Sequence, residues 1–245
     1  MRKITLRGAR GIACIALAFL IALTTVFALS DVKTVALLGG ESYSPYYFGD
    51  RGKPEVSIMI NVYENADVVN EMLDVLKEYG CRATFFVGGC WADDNTETVR
   101  RIADSGNEIG NHGYFHKDPK SIDAAALERE ISTNHALIKS LCGVDMSLFA
   151  PPSGSFDQGT LKIVEKSGYK TVMWTKDTID WRDDDVNTLV KRATEDLENG
   201  DFILMHPKPH SVAALKEILK IIKEKKLEAV TVSESLGING KGNDA

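Results

Sequence analysis

Two histidines four residues apart, His112 and His116, stand in the polar, Gly- and Pro-flanked stretch Gly110-Asn111-His112-Gly113-Tyr114-Phe115-His116-Lys117-Asp118-Pro119. On one helical turn, side chains at i and i+4 share a face and can grip a single metal ion. Neutral imidazole suits zinc and its neighbours among the transition metals. Spacing alone is a weak signal, because such pairs are commonly surface residues or satisfied polar groups. Other segments add weight: Asn61, the turn Ala150-Pro151-Pro152-Ser153-Gly154, the stretch Asp177-Thr178-Ile179-Asp180-Trp181, and His206. Together these supply imidazoles, carboxylates and an indole, side chains suited to proton transfer and to stacking.

These residues share one positional property: each follows a predicted strand. Short, mainly apolar runs at 56–62, 83–87, 147–150, 170–174, 201–205 and 229–232 read as strands buried on both faces. Glu108-Ile109-Gly110 leads into the histidine pair. Amphipathic segments at 67–79, 96–105, 122–141, 159–167, 185–197 and 212–225 alternate with them, several closed by glycine (Gly80, Gly106, Gly143, Gly168). Alternating strands and helices predict an α/β fold with a parallel sheet, either doubly wound or a closed (β/α) barrel. In both, ligands bind at the C-terminal ends of the strands. Trp181, Tyr63 and Tyr114 follow strands as well and can line a groove or pack in the core. The acidic run Asp177, Asp180, Asp183, Asp184 and Asp185 could be offered as a divalent-metal cluster but reads rather as a solvated helix start, where the macrodipole favours negative charge. His135 in mid-helix and His210 after a Pro-rich turn read as surface residues.

The chain of 245 residues is 44% apolar and 26% charged, enough for one sizeable core. A formal net charge of −6 leaves no basic footprint for nucleic acid. Cys14, Cys81, Cys90 and Cys142 show no CxxC spacing, and Cys81 and Cys90 read as small hydrophobes flanking a strand. Arg2, Lys3, Arg7 and Arg10 precede an almost uninterrupted apolar run at 11–29. Positive charge before such a run predicts a membrane segment with the body of the protein outside the cytoplasm. Ala28 and Ser30 would allow cleavage, so signal anchor and signal peptide both stand, and the length favours the anchor. The expected organisation is a signal anchor or peptide at 1–30, a linker or stalk at 31–54 with a short strand at 34–38, a barrel at 55–236, and a flexible tail at 237–245.

With these residues in view, the stretch from Val56 to Leu236 resembles the polysaccharide deacetylase family, the NodB-homology domain of carbohydrate esterase family 4. The family's HxxxH motif is matched by His112-Gly113-Tyr114-Phe115-His116, and its Arg-Pro-Pro-Tyr-Gly motif by Ala150-Pro151-Pro152-Ser153-Gly154. Its Asp-x-x-Asp-Trp motif stands as Asp177-Thr178-Ile179-Asp180-Trp181, and its Leu-x-His as Leu204-Met205-His206. Ala83-Thr84-Phe85-Phe86-Val87 is similar to the family's Ala-Thr-Phe-Phe-Val stretch. The resemblance implies a distorted (β/α) barrel with fewer than eight complete units. It also implies metal-dependent hydrolysis of acetyl groups on a cell-wall polysaccharide, peptidoglycan or chitin-like. On that pattern His112 and His116 hold a divalent metal (zinc, or cobalt or nickel), His206 acts as acid and Asp177 supports it. Pro151, Pro152, Trp181 and Tyr114 would contact the N-acetylated glycan.

The first motif departs from the family. Its Thr-Phe-Asp-Asp-Gly-Pro falls on Met59-Ile60-Asn61-Val62-Tyr63-Glu64. Asn61 stands where the general base belongs and can at most orient a water; Val62 stands where the metal-binding Asp belongs; Ala150 replaces the Arg. An Asn-Val pair here is similar to a sporulation-associated, membrane-anchored branch of the family. Loss of a positioned base removes about 10²–10⁴ in rate. Loss of the third ligand weakens the metal itself, because catalytic zinc uses about three protein ligands. Glu64, Asp67, Asp118 and Asp157 are the carboxylates near enough in sequence to substitute. Two expectations follow: a weakly held metal with hydrolysis, or a catalytically impaired glycan-binding or scaffold protein.

Overall fold

The structure, a computed structural model, describes residues 43–238. The apolar run at 11–29, the expected strand at 34–38 and most of the tail lie outside these residues. Among the described residues no helix is long and apolar enough to cross a membrane.

Eight parallel strands form one sheet: β1 (Glu55–Val62), β2 (Thr84–Val87), β3 (Glu108–Asn111), β4 (Leu148–Phe149), β5 (Lys170–Thr171), β6 (Lys176–Asp177), β7 (Phe202–Met205) and β8 (Glu228–Val230). Their order is β5-β4-β3-β2-β1-β7-β6, and β8 pairs with the first part of β1. The intervening helices are α1 (Ala66–Tyr79), α2 (Gly89–Asp94), α3 (Thr96–Asp104), α4 (Ala124–Cys142), α5 (Gln158–Lys166), α6 (Val186–Thr194), α7 (Pro209–Glu224) and the short α8 (Val232–Ser235). This is a distorted (β/α) barrel of fewer than eight complete units, as expected. Of the predicted strand at 170–174 only Lys170–Thr171 forms β5, and the separate β6 (Lys176–Asp177) lies at the opposite end of the order.

The pleat of β1 decides which residues reach the interior. Val56, Ile58, Ile60 and Val62 belong to the large core between sheet and helices, packed with Val69, Met72 and Leu76 of α1 and Leu215 and Ile218 of α7. Met59 faces the other way, into a small inner core with Phe86, Leu148, Phe202 and Leu204. Successive side chains alternate across a strand, so Asn61 shares the inner face with Met59. The pairing stays regular to the strand end, with Val62 opposite Val87.

The segment expected as a stalk is bonded to the barrel over its described part. Tyr46 N–H donates to Thr171 O, and Tyr46 O accepts from Met173 N–H. Gly49 N–H donates to Gly200 O and Asp50 N–H to Ser235 O. The strap therefore joins β5 to the start of β7. Cys81, Cys90 and Cys142 are free thiols; Cys81 packs against the core, whereas Cys90 is exposed rather than a core hydrophobe.

Candidate functional site

A cleft of about 370 Å³ opens at the C-terminal ends of the strands, lined by Asn61, Tyr63, His112, His116, Ser153, Gly154, Trp174, Asp177, Trp181, Leu204 and His206. Asn61, His112, His116, Asp177, Trp181 and His206 thus meet in one place, as their positions after strands require. Pro151, Pro152 and Tyr114 are not among the lining residues. Both prolines are buried beneath the turn, whose Ser153 and Gly154 face the cleft instead. The Tyr114 ring lies over Gly89, at the start of α2, where an added Cβ would come within 2.3 Å of it.

The histidine pair is carried by a loop, not by a helical turn. Gly113 (φ 73°) and His116 (φ 54°) both take left-handed backbone, which folds the chain back after β3. Glu130 of α4 holds this loop: its Oε2 accepts from Phe115 N–H at 2.7 Å. The imidazole centroids of His112 and His116 lie 4.9 Å apart. His112 Nδ1 is 2.7 Å from Ala150 O, so Nδ1 carries the proton and Nε2 is left as an acceptor. Burial, reinforced by the neighbouring His116, lowers the His112 pKa to about 3, so the ring is neutral at physiological pH. Burial lowers His116 as well.

On the opposite wall, His206 is paired with Asp180. His206 Nδ1–H donates to Asp180 Oδ1 at 2.8 Å, while Asp180 Oδ2 accepts from His206 N–H at 2.7 Å and from Ser211 Oγ at 2.7 Å. Burial pushes Asp180 up, but these bonds outweigh it and hold the carboxyl below its ordinary range. The expectation that Asp177 supports His206 is therefore corrected. Asp177 Oδ1 accepts from Ile179 N–H at 2.8 Å, and its half-buried carboxyl is raised chiefly by desolvation. The left-handed Ile179 (φ 57°) turns the chain between the two acids and swings Asp180 under His206. Asp183 pairs with Arg182 and Arg192, and Asp185 caps α6 by accepting from Thr188 N–H, so these two acids of the run are structural.

A divalent metal does not find a complete donor set here. Asn61 is buried and its Oδ1 has no hydrogen-bond partner among the described residues, but it is a neutral amide. Val62 is turned into the outer core. Of the alternative carboxylates, Glu64 pairs with Lys208, Asp118 accepts from Lys120 N–H, Asp157 caps α5, and Asp67 is exposed. Among the described residues no three His, Cys, Asp or Glu side chains group so as to hold a metal ion. Two neutral imidazoles alone fall short of the roughly three ligands of a catalytic zinc site.

Three comparisons place this geometry among known proteins. The polysaccharide deacetylase profile matches residues 49–172. An uncharacterised Bacillus subtilis protein, YlxY, is 35% identical over 84% of this chain, which spans 64% of that relative's length. A peptidoglycan-N-acetylglucosamine deacetylase of Bacillus cereus is 31% identical over 68% of this chain and 80% of its own. Among solved structures, a carbohydrate esterase family 4 pseudoenzyme from Bacillus anthracis superposes with a TM-score of 0.77 at 31% identity, over 80% of this chain and 70% of its own. A mutant of that pseudoenzyme with restored enzymatic activity superposes with a TM-score of 0.77 at 29% identity, over 80% of this chain and 72% of its own. By sequence profile, relatives and architecture alike, this chain belongs to the polysaccharide deacetylase family.

Proposed function

We propose that this chain binds N-acetylated cell-wall glycan, peptidoglycan or a chitin-like polymer, in the cleft at the strand ends, and that its hydrolytic site is reduced to the acid side. The observation that carries this reading is the asymmetry of the cleft. One wall keeps the Asp180–His206 pair, in which Asp180 positions the ring and His206 Nε2 is free to face a leaving amine. The other offers Asn61 where a base would stand and no carboxylate beside His112 and His116. Trp181, 54% exposed at the rim, supplies a face for a sugar ring. The basic residues ahead of the apolar run at 11–29 support action outside the cytoplasm, tethered to the membrane or secreted after cleavage, and the Asn-Val pair supports a sporulation role.

The second reading, metal-dependent hydrolysis of N-acetyl groups, is favoured by the retained imidazole pair together with the intact Asp180–His206 pair. One experiment separates the two. Full chain is incubated with chitooligosaccharide or peptidoglycan plus zinc, cobalt or nickel, and both bound glycan and free acetate are measured. Bound glycan with no acetate above a His112→Ala control is the expected result. Acetate clearly above that control would establish the second reading.

A further inference from the structure

Tyr63, directly after β1, lines the cleft next to the imidazoles. The alternation that turns Val62 outward brings position 63 back to the inner side, where Tyr63 lines the cleft beside Asn61. Its ring centroid lies 4.3 Å from that of His116, 6.2 Å from His112 and 6.1 Å from His206. The ring thus stands among the three imidazoles, in van der Waals contact with His116. An ion shared by His112 and His116 would lie about 2.0–2.1 Å from each nitrogen and would need open space on that side for its remaining ligands. The Tyr63 ring lies against that pair.

We propose that Tyr63 takes the place of a metal, so that the acetylated sugar is bound without one, with the Tyr63 ring forming part of the surface the sugar meets. This rests on the glycan-binding reading above. The neutral imidazoles then act as hydrogen-bond acceptors for sugar hydroxyl or amide N–H groups. The phenol ring offers an apolar face for sugar C–H groups. The register of β1 adds a second consequence: a carboxylate at position 62 points into the helix-facing core, and one at position 63 points at the imidazole pair.

The test uses full chain in detergent, with the N-acetylglucosamine tetramer as probe ligand and zinc followed by equilibrium dialysis. Wild type should bind the tetramer with the same Kd in excess chelator and in excess zinc. Tyr63→Ala should weaken that binding by about tenfold, and Tyr63→Phe by less than about threefold. Tyr63→Asp should raise zinc affinity at least about tenfold over wild type, whereas Val62→Asp should not. Stoichiometric zinc in wild type, loss of glycan binding in chelator, or unchanged binding by Tyr63→Ala would each overturn the proposal. If wild type binds no tetramer under any condition, the glycan reading fails by itself. The zinc comparison of Tyr63→Asp with Val62→Asp then still decides whether Tyr63 holds the metal's place.

Discussion

At the scale of single residues, the Asp180 carboxylate is a heavily committed group buried behind the cleft wall. Three donors converge on it: the His206 ring, the His206 backbone N–H and the Ser211 hydroxyl. Removing a buried acceptor strands its donors, which costs more than the bonds themselves contribute. Asp180→Ala should therefore lower stability by about 2–4 kcal/mol in urea unfolding, while Asp177→Asn, which keeps an acceptor for Ile179 N–H, should change it by about 0.5 kcal/mol or less. Equal effects of the two substitutions would show that the assignment of Asp180 as the positioning acid is misplaced. The Asp-x-x-Asp-Trp spelling contains both acids and does not say which one meets His206. The left-handed backbone at Ile179 makes that choice.

At the scale of elements, β2, β3 and α8 are tied at the end of the sheet away from the cleft by the half-buried Glu108. Its Oε2 accepts from Thr84 Oγ1 at 2.7 Å and from Ser233 N–H at 3.1 Å, and Thr84 Oγ1 in turn accepts from Val232 N–H. Desolvation raises the Glu108 pKa above its ordinary 4.5 despite those bonds. A carboxyl raised on folding binds more protons in the native than in the unfolded chain, so its contribution is fully present in acid and lost as pH rises through the native value. The stability of wild type relative to Glu108→Gln should accordingly fall as pH rises above the ordinary value of 4.5. A pH-independent difference in chemical denaturation would contradict this. Helix positions were legible from apolar spacing and glycine stops, because those signals are local. The short helix α2 (Gly89–Asp94) was not, since Tyr114 packing on Gly89 and the bonds from Gly89 and Cys90 N–H to the histidine loop hold it in place.

At the scale of the whole molecule, the incomplete barrel depends on a strap that precedes its first strand. Tyr46 and Gly49 bridge strands at separate places in the sheet order, and Arg51 pairs with the buried Asp201 at 2.8 Å. A chain beginning at Glu55 should melt several degrees below one beginning at Tyr43 or fail to fold cooperatively, by analogy with about 4 °C or less per kcal/mol lost for a domain of this size. Melting curves that coincide would show the strap to be dispensable. Read as sequence, these residues look like a linker because their glycines, prolines and tyrosines carry no period, and their partners lie more than a hundred positions away.

The sequence by itself determined the alternation of strands and helices and the rim on which the functional side chains gather. Each of these follows from residue type and local spacing. Tertiary structure alone decided that Asp180 rather than Asp177 meets His206, that a loop rather than a helix pairs His112 with His116, and that Tyr63 stands among the imidazoles. Those outcomes depend on the parity of a strand end and on left-handed turns, where a single residue's backbone angle sends a side chain into the cleft or away from it.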